Sequence, residues 1–461
     1  MLTGEADGIL TQSLPHETIC GNKQRLTTKV CRAGEGKTMV KITRRAALAG
    51  LAGTIAMPAY LRDASAQAQT ELSFWTWRQE DRTQYATLFG EFTQANPSIK
   101  IAFQGFEPQN YGTALSTALA AGRGPDVIHI RAYGGTEQFA KAGYLTPLTS
   151  ANVPEIGNLP AAAIGSVSMR SDKQVYAVPF ASQTLGLFVN REIFARLNVK
   201  VPETWAELLA TCNTIKQTGG GIFPLANGMA TAWMVEVFTS IFTSSWHGRE
   251  FVADMLAGKV TFEDPRYVEA LGKLLELREH MPTGFAGVDY ATAQQLFMSG
   301  RAAMFAGGSF EIANFRRQNP NLAMEFHAPP SRTAGAPRLV SLFYDGGYAV
   351  NAKSEKSAAA LQLVRHMATP AFGTRFSALL GNVSPIRGAT IADPMLARVT
   401  ELNASASDYI MAVHFRFQEP TGSNLLQGGI QRLMSGQTTP AQLAAEITKG
   451  IATYHEPFRR G

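Results

Sequence analysis

Hydrophobic and polar positions change period repeatedly along residues 70–143. The aromatic segment 72–77 has the composition of a short strand and ends in a polar run. Apolar residues recur at helical spacing over 85–92, and short apolar runs at 100–103 and 126–130 predict two more strands with a helix between them. Strands that alternate with helices indicate βαβ units and a mostly parallel sheet, whose ligands collect at the carboxyl ends of the strands.

A second section of strands and helices follows Val178. The run 185–189 is apolar throughout, which is typical of a buried strand. Thr204 and Glu207 have the spacing of an N-cap and its capping-box partner, so a helix is expected to begin at Trp205, whose side chain we assign to the core. The remaining pattern predicts helices at 268–280, 291–298 and 357–368, a strand near 302–305, and a mostly helical tail over 424–454.

The segment 39–68 has the composition of an export signal peptide. Three basic residues at 41–45 precede an uncharged apolar run of twelve residues, and small residues suited to cleavage follow at 64–68. The run is too short to span a bilayer. Its arginine pair indicates the twin-arginine route, with the general export route as the alternative. Residues 1–38 lack these features and are either a start-site artefact or an extension of the basic region.

Charge and cysteine content narrow the partners of the exported chain. Residues 1–66 hold nine Lys or Arg and five Asp or Glu, so only +2 of the formal net charge of +6 lies after them, and nucleic acid is not an expected partner. Cys20 and Cys31 precede the cleavage site, which leaves Cys212 without an intramolecular partner. Because no cysteine stands directly after the cleavage site, we expect no lipoprotein anchor and contact with the membrane only through a partner.

No motif for catalysis or cofactor binding stands out. Residues 34–38 resemble the end of a phosphate-binding loop, but no strand precedes them. Residues 307–311 end in Glu rather than in the Gly of a nucleophile elbow, and the eight histidines lack metal-ligand spacing. Nothing in the sequence selects a carboxylate pair for glycoside hydrolysis. We therefore expect no catalytic residue, metal or cofactor, and a protein that is not an enzyme.

Several segments match one protein family in their order and spacing. They are ELSFWTW, FTQANPSIKI, ALAAGRGPDVIHI, AKAGYLTPL, VYAVPF with LGLFVNREIFARLNVKVPETWAEL, FMSGRAAMFAGGSFE, and DGGYAVNAKSEKSAAALQLVRHMATPAFGTRF with GNVSPIRG. In this order they resemble the family 1 extracellular solute-binding proteins of ABC importers, the carbohydrate-binding group that includes maltose-binding protein. The resemblance covers about residues 70–455, and its specificity lies in the joint order rather than in any one segment.

The resemblance implies an α/β fold of the two-lobed periplasmic binding protein type, with a hinge that the chain crosses more than once. Lobe 1 would comprise residues 69–180 plus 346–392, and lobe 2 would comprise residues 183–343 plus 396–461. The crossings would fall near 180–182, 344–346 and 393–394.

The same resemblance implies a soluble, monomeric periplasmic protein that captures a sugar or sugar derivative between its lobes. It would deliver this ligand to the permease subunits of an ABC transporter. Two alternatives stay open: an exported carbohydrate-active enzyme such as a hydrolase or lyase, and the same fold binding a non-sugar solute such as a polyamine or an organic anion. The sequence names neither the ligand nor the permease.

Sugars bind to flat aromatic rings and to planar hydrogen-bonding groups. At the ends of the first and third predicted strands, the residues of these types are Trp77, Arg78, Arg131 and Tyr133. We expect strand alternation to place one of Trp75 and Trp77 in the core, and we favour Trp77 as the residue that contacts the ligand.

The other candidate ligand contacts belong to the predicted crossings and to lobe 2. Gln183 is either a ligand contact or a hinge hydrogen bond, and Trp233 either stacks on the ligand or is buried. Asp345, beside Tyr344, is the carboxylate we favour for binding hydroxyl groups. The remaining candidates are Glu311, Phe310, where relatives often carry a stacking Trp, and Arg387, which could instead form a surface ion pair.

Three of these candidates are arginines, which bears on the charge of the ligand. Arg78, Arg131 and Arg387 together leave room for an anionic ligand such as a sugar acid or a sugar phosphate. Arginine binds carboxylate and phosphate groups through its bidentate fork.

Overall fold

The computed structural model describes residues 69–459. The predicted signal peptide at 39–68 and the preceding segment 1–38 lie outside these residues. Within 69–459 the chain forms eleven strands and sixteen α-helices. The strands are β1 (Thr70–Thr76), β2 (Ile99–Gly105), β3 (Val127–Ile130), β4 (Ala177–Pro179), β5 (Ser182–Asn190), β6 (Phe223–Ala226), β7 (Ala302–Gly308), β8 (Met324–His327), β9 (Val340–Tyr344), β10 (Gly347–Val350) and β11 (Ala406–Asp408). The helices are α1 (Arg82–Ala95), α2 (Pro108–Ala120), α3 (Gly134–Lys141), α4 (Ala161–Ser166), α5 (Arg191–Arg196), α6 (Trp205–Thr218), α7 (Ala232–Leu256), α8 (Pro265–Leu274), α9 (Tyr290–Met298), α10 (Glu311–Gln318), α11 (Ser357–Met367), α12 (Pro370–Leu380), α13 (Pro394–Leu402), α14 (Ile410–His414), α15 (Gly422–Met434) and α16 (Pro440–Ala452).

The first sheet has the strand order β2-β1-β3-β10-β4. Strand β1 lies between β2 and β3 and runs parallel to both, as expected of βαβ units, whereas β10 runs antiparallel to β3 and β4. Phe74 of β1 contacts Tyr85 and Phe89 of α1, with ring centroids 5.3 and 5.1 Å away. The helical spacing found over 85–92 therefore places α1 on the core of this sheet.

The second sheet has the strand order β11-β9-β5-β7-β6, and β8 pairs with β5. Strand β5 contains the apolar run 185–189 and is buried along its whole length. It runs antiparallel to β7, β8 and β9, whereas β6 is parallel to β7 and β11 is parallel to β9. The prediction of a buried strand at this position is confirmed.

Both sheets are mixed, so the expectation of mostly parallel sheets is wrong, although the α/β class holds. Five of the nine strand pairings within residues 69–459 are antiparallel. Gly347, the first residue of β10, pairs with Ile130, the last residue of β3. The chain therefore enters the first sheet beside the carboxyl ends of its parallel strands, so β10 runs antiparallel to them. A parallel β10 would require the chain to cross first to the amino ends of those strands.

Two chain segments connect the sheets and are hydrogen-bonded to each other. One leads from β4 to β5, and the other leads back from β9 to β10. The Phe180 N–H donates to the Gly346 carbonyl at 2.9 Å, and the Asp345 N–H donates to the Ala181 carbonyl at 3.1 Å. These bonds hold the ends of both sheets next to Asp345.

A third segment, after α12, joins this connection. The Ser182 N–H donates to the Val383 carbonyl at 2.9 Å. Helix α12 contributes Phe376 to the core of the first sheet, whereas α13 contributes Val399 to the core of the second. The chain therefore changes sheets again between these helices. The lobe boundaries proposed from the sequence stay a prediction.

Several local predictions hold in detail. Thr204 Oγ1 accepts the Glu207 N–H, and the Glu207 carboxylate accepts the Thr204 N–H in return, which forms the predicted capping box. Trp205 is buried, as assigned. The helix expected at 268–280 is α8 continued by the 3₁₀ helix Leu275–His280. Within residues 69–459, no helix combines the length and the apolar composition that a membrane crossing requires.

Candidate functional site

The carboxyl ends of β1 and β3 bring Trp77 and Arg131 into contact. The Arg131 guanidinium lies 3.8 Å from the centroid of the Trp77 ring, close enough for a cation–π interaction. His129 stacks on the same indole at 3.9 Å with an interplanar angle of 26°. Trp77 is only 3% exposed. Its ring is therefore already covered within the protein and does not offer an open surface to a ligand.

Trp75 and Trp77 pack into one aromatic group, in which Trp77 is the one that lies in the core and Trp75 is partly buried. The Trp75 ring lies 4.8 Å from Phe106, and the Trp77 ring lies 5.7 Å from Tyr111, while Phe106 and Tyr111 contact each other at 5.6 Å. Side chains two positions apart in a strand point to the same face, so the two indoles share a side of the sheet.

Arg78 is buried and already paired with carboxylates. Its Nε donates to Asp81 Oδ2 at 2.6 Å and lies 3.4 Å from Glu80 Oε1. Burial alone would lower the pKa of Arg78, but the Asp81 and Glu80 carboxylates raise it above its ordinary value. Asp81 also lies 3.5 Å from the guanidinium of Arg317 on α10. This pair links the end of the first strand to a helix of the second sheet.

Asp345 lies between the sheets and pairs with Arg131. Arg131 Nη1 donates to Asp345 Oδ1 at 3.3 Å, and the Asp345 side chain is 15% exposed. Burial raises the pKa of Asp345, and the neighbouring arginines Arg131, Arg78 and Arg416 partly offset this rise. The exposed part of this carboxylate can accept a hydrogen bond from a hydroxyl group, so a role for Asp345 in ligand binding stays a prediction.

Tyr133 ties the loop after β3 to the connection between the sheets. Its hydroxyl accepts the Tyr344 N–H at 3.1 Å. Tyr133 has a φ of 57° and a ψ of −120°, a conformation that costs a non-glycine residue about 1–3 kcal/mol. Its side chain is buried, so Tyr133 positions the connecting segment rather than presenting a ring to the ligand.

Gln183 makes hydrogen bonds beside the segments that connect the two sheets. It is fully buried, its Nε2 donates to Asn382 Oδ1 at 2.8 Å, and its Oε1 accepts from Ser309 Oγ at 2.8 Å. Both ends of the amide therefore have protein partners.

An aromatic cluster of Trp233, Tyr290 and Phe310 forms the open part of the site. Trp233, in the first turn of α7, is 37% exposed. It meets Tyr290 edge to face at 4.7 Å and Phe310 at 6.1 Å. This geometry leaves indole surface free, which is what stacking on the C–H face of a sugar requires. Tyr290 was missed because only its position after the N-cap Asp289 marks it in the sequence.

Glu311 lies at the start of α10, directly after Phe310, and is fully buried. Its Oε2 accepts from Gln294 Nε2 at 2.7 Å, whereas its Oε1 has no hydrogen-bond partner among the described residues. Burial raises the pKa of Glu311 to about 7, against the lowering effect of its hydrogen-bond donors and of Arg78. The carboxyl is therefore a mixture of protonated and ionised forms near neutral pH.

Arg416 is a further candidate that the sequence analysis missed. Its Nη2 donates to Glu236 Oε1 at 3.0 Å, and its side chain is 37% exposed. The fully buried Glu236 also accepts from Ser423 and Gln427. A Cβ on Gly134 would lie 1.8 Å from the Arg416 carbonyl oxygen, so the chain after α14 touches the loop after β3. This contact could not be predicted from local sequence patterns, because more than 280 residues separate the two segments.

Arg387 does not join these residues. It is exposed after α12, and among the described residues no ion pair or hydrogen bond involves its side chain. Arg78, Arg131 and Arg416 each face a carboxylate of their own, namely Asp81, Asp345 and Glu236. The arginine cluster proposed for an anionic ligand is thus incomplete and its charge is balanced. Residues 69–459 also contain no group of three or more His, Cys, Asp or Glu that could hold a metal ion.

Comparison with known proteins assigns the chain to a family. Residues 77–373 match the family described as bacterial extracellular solute-binding protein. The multiple sugar-binding protein of Streptococcus mutans is 23% identical over 70% of this chain and 77% of its own length. A probable sugar-binding periplasmic protein of Rhizobium meliloti is 22% identical over 74% of this chain and 82% of its own.

Solved structures show the same fold. RafE of Streptococcus pneumoniae in complex with raffinose has a TM-score of 0.68 and 20% identity to this chain, and the match covers 85% of this chain and 100% of RafE. Because the family match spans more than half of the sequence, this chain belongs to the bacterial extracellular solute-binding protein family, with the two-lobed α/β fold and the substrate-binding role of that family in ABC import.

Proposed function

We propose that the ligand of this protein is an uncharged sugar or sugar derivative, held between the aromatic cluster and the Arg131–Asp345 pair. The observation that carries this proposal is the exposed face of Trp233, which is 37% exposed beside Tyr290 and Phe310. The names of the relatives in Streptococcus mutans and Rhizobium meliloti, both sugar-binding proteins, support the same ligand class.

The charge balance of the site supports an uncharged ligand over an anionic one. Arg131 and Arg416 have exposed side-chain surface, 44% and 37%, and each already bonds one carboxylate. An anionic ligand would have to compete with Asp345 or Glu236, and a buried carboxylate that loses its partner costs several kcal/mol. A hydroxyl group can instead use the N–H donors and carboxylate lone pairs that remain, without breaking either pair.

The two sides of the site lie close enough for one small ligand to contact both. Arg317 of α10 pairs with Asp81 at 3.5 Å across the site. The pKa of Tyr290 is raised well above its ordinary value mainly by burial, and Glu80 adds to this rise from the opposite side. We infer that the ligand favours the closed arrangement by bridging both sides. Moving a closed population from 1% to 99% requires a preference of about 10⁴-fold, which contacts on one side alone would not supply.

We further propose that the protein works outside the cytoplasm as a monomer and passes its ligand to permease subunits. The basic and apolar pattern of residues 39–68 supports export by the twin-arginine route, with cleavage after Ala68. The family of the chain and the relative named as a periplasmic protein support this location. No lipid anchor is proposed, because no cysteine stands directly after the cleavage site.

A thermal-shift panel on the purified protein tests the ligand class. The panel contains neutral mono- and oligosaccharides, sugar acids, sugar phosphates and polyamines. A ligand present at 100 times its Kd should add about 2.7 kcal/mol to the free energy of unfolding. We expect a shift with neutral sugars and none with the phosphates or polyamines. A shift confined to the sugar acids or sugar phosphates would overturn the proposal.

The same panel separates a binding protein from the enzyme alternative. Each sugar that gives a shift is incubated with excess protein and then recovered and analysed for cleavage or rearrangement. We expect it to be recovered unchanged. A product formed in proportion to protein concentration would show a hydrolase or lyase instead.

A further inference from the structure

A cavity of about 490 Å³ lies in the groove between α2 and α3. Its size falls within the range of about 300–1,000 Å³ that is typical of small-molecule sites. The lining residues are Pro108, Gln109, Tyr111, Gly112, Thr113, Ser116, Thr117, Arg131, Gln138 and Phe139.

The lining has the chemistry that binds hydroxylated rings. The side chains of Gln109, Thr113 and Gln138 are exposed, and none of them makes a hydrogen bond to another described residue. Amide and hydroxyl groups of this kind both donate and accept, as sugar hydroxyls do. Tyr111 and Phe139 also line the cavity, but both rings are buried, so the exposed polar side chains are the groups that a ligand would meet.

The cavity and the candidate site share one side chain, that of Arg131. This side chain lines the cavity, lies 3.8 Å from the Trp77 ring and donates to Asp345 at 3.3 Å. Tyr111, another lining residue, contacts the same indole, with ring centroids 5.7 Å apart. A ligand that bonds Arg131 and Asp345 therefore has this groove as its neighbouring space.

We infer that the groove between α2 and α3 holds additional saccharide units of the ligand, so that the protein binds an oligosaccharide in preference to a monosaccharide. This inference rests on the proposed function, because it places further units of the same sugar ligand in the groove.

Gly112 gives direct experimental access to the groove. It lies within α2, lines the cavity and has no left-handed φ, and a Cβ added there would meet no atom within 4 Å. Glycine is unfavourable inside a helix, so a larger residue at this position is compatible with the backbone. Gly112→Leu should therefore fill part of the groove without disturbing the fold. Gly90 in α1 is the matched control, since a Cβ there also meets nothing within 4 Å and the residue does not line the cavity.

The experiment measures the Kd of wild type, Gly112→Leu and Gly90→Leu for neutral saccharides of one to four units from the malto-, xylo- and chito- series. We expect wild type to bind the best three- or four-unit ligand at least tenfold more tightly than the corresponding single unit. Gly112→Leu should lose at least tenfold in affinity for the longer ligand and less than twofold for the single unit. Gly90→Leu should change neither value by more than twofold.

Other outcomes distinguish failure of the proposed function from failure of the groove assignment alone. If no saccharide of any length binds to wild type, the proposed function fails and this inference fails with it. If saccharides bind with affinity independent of length, or if Gly112→Leu weakens every length equally, only the groove assignment is overturned. A Gly112→Leu variant that binds normally but no longer supports uptake would make the groove a surface for the permease and would also overturn it.

A second variant covers the case in which Gly112→Leu does not fold. Replacing Gln109 and Gln138 by Ala removes both amides from exposed positions, so folding is expected to be unaffected. The double variant should bind the longer ligand three- to tenfold more weakly and the single unit as wild type does. Unchanged affinity for the longer ligand would contradict the inference.

Discussion

The two sides of the site use the same residue type in opposite ways. On the first sheet, Trp77 is 3% exposed and lies between Arg131 and His129. On the second sheet, Trp233 is 37% exposed and makes T-shaped contacts with Tyr290 and Phe310. On the first side the buried Trp77 ring therefore holds Arg131 in place, whereas on the second side Trp233 presents apolar surface that a ligand can reach. Replacing each tryptophan tests this difference. Loss of Trp77 should lower the stability of the protein, and loss of Trp233 should weaken ligand binding.

Trp77→Ala should have the largest effect on stability. Truncating a buried aromatic side chain costs about 3–5 kcal/mol, and here it also leaves Arg131 and His129 without the ring between them. Denaturant titration of the unliganded protein measures this loss. A Trp77→Ala variant that keeps wild-type stability but loses ligand binding would place Trp77 in direct contact with the ligand and break the comparison.

Asp81→Asn should have the next largest effect on stability, with a loss of about 3 kcal/mol in the free energy of unfolding. The change removes the negative charge that lies 2.6 Å from the buried guanidinium of Arg78 and leaves the more exposed Glu80 as its ion-pair partner. Glu91→Gln is the matched control, because its pair with Arg375 is exposed on both sides and should contribute less than 1 kcal/mol. Equal losses in the two variants would mean that the buried Arg78–Asp81 pair contributes no more to stability than an exposed ion pair does.

Glu311 should make the stability of the protein depend on pH. Burial raises its pKa to about 7 in the folded state, above the value of about 4.5 for an unfolded chain, so the folded protein binds this proton more tightly. The resulting stabilisation is complete below about pH 4.5 and is lost as the pH rises to about 7, with a total of about 3 kcal/mol. Glu311→Gln should remove this part of the pH dependence. Parallel stability curves for wild type and Glu311→Gln from pH 4.5 to 8 would contradict the assignment.

The sequence was informative where local rules decide the structure. The capping box of Thr204 and Glu207 and the buried strand at 185–189 follow from spacing and composition within a few residues, and both are present. Trp75 and Trp77 are a harder case, because residues two apart share a face of a strand and the strand period alone does not decide which of them is buried. The structure buries Trp77 and leaves Trp75 partly exposed.

Other features of the site depend on contacts that no local pattern encodes. Arg416 reaches Glu236 across 180 residues, and Tyr290 meets Trp233 across more than fifty. Both contacts arise from how helices of the second sheet pack against one another, so a single sequence gives no signal for them. The antiparallel entry of β10 is equally non-local, since it depends on where the chain returns from the other sheet.

Trp233→Ala should have the smallest effect on folding and should act on the ligand instead. More than a third of this side chain is exposed, and surface truncations of this kind usually change stability by less than 1 kcal/mol. Loss of a stacking aromatic at the centre of a binding site costs about 2 kcal/mol, which corresponds to roughly a thirtyfold rise in Kd. Trp233→Phe should recover part of that loss, since it keeps a flat ring beside Tyr290. Calorimetric titration with the neutral sugar found in the ligand panel measures both variants. A Trp233→Ala variant with unchanged affinity but a large loss of stability would give Trp233 the structural role assigned here to Trp77, and the contrast between the two sides would fail.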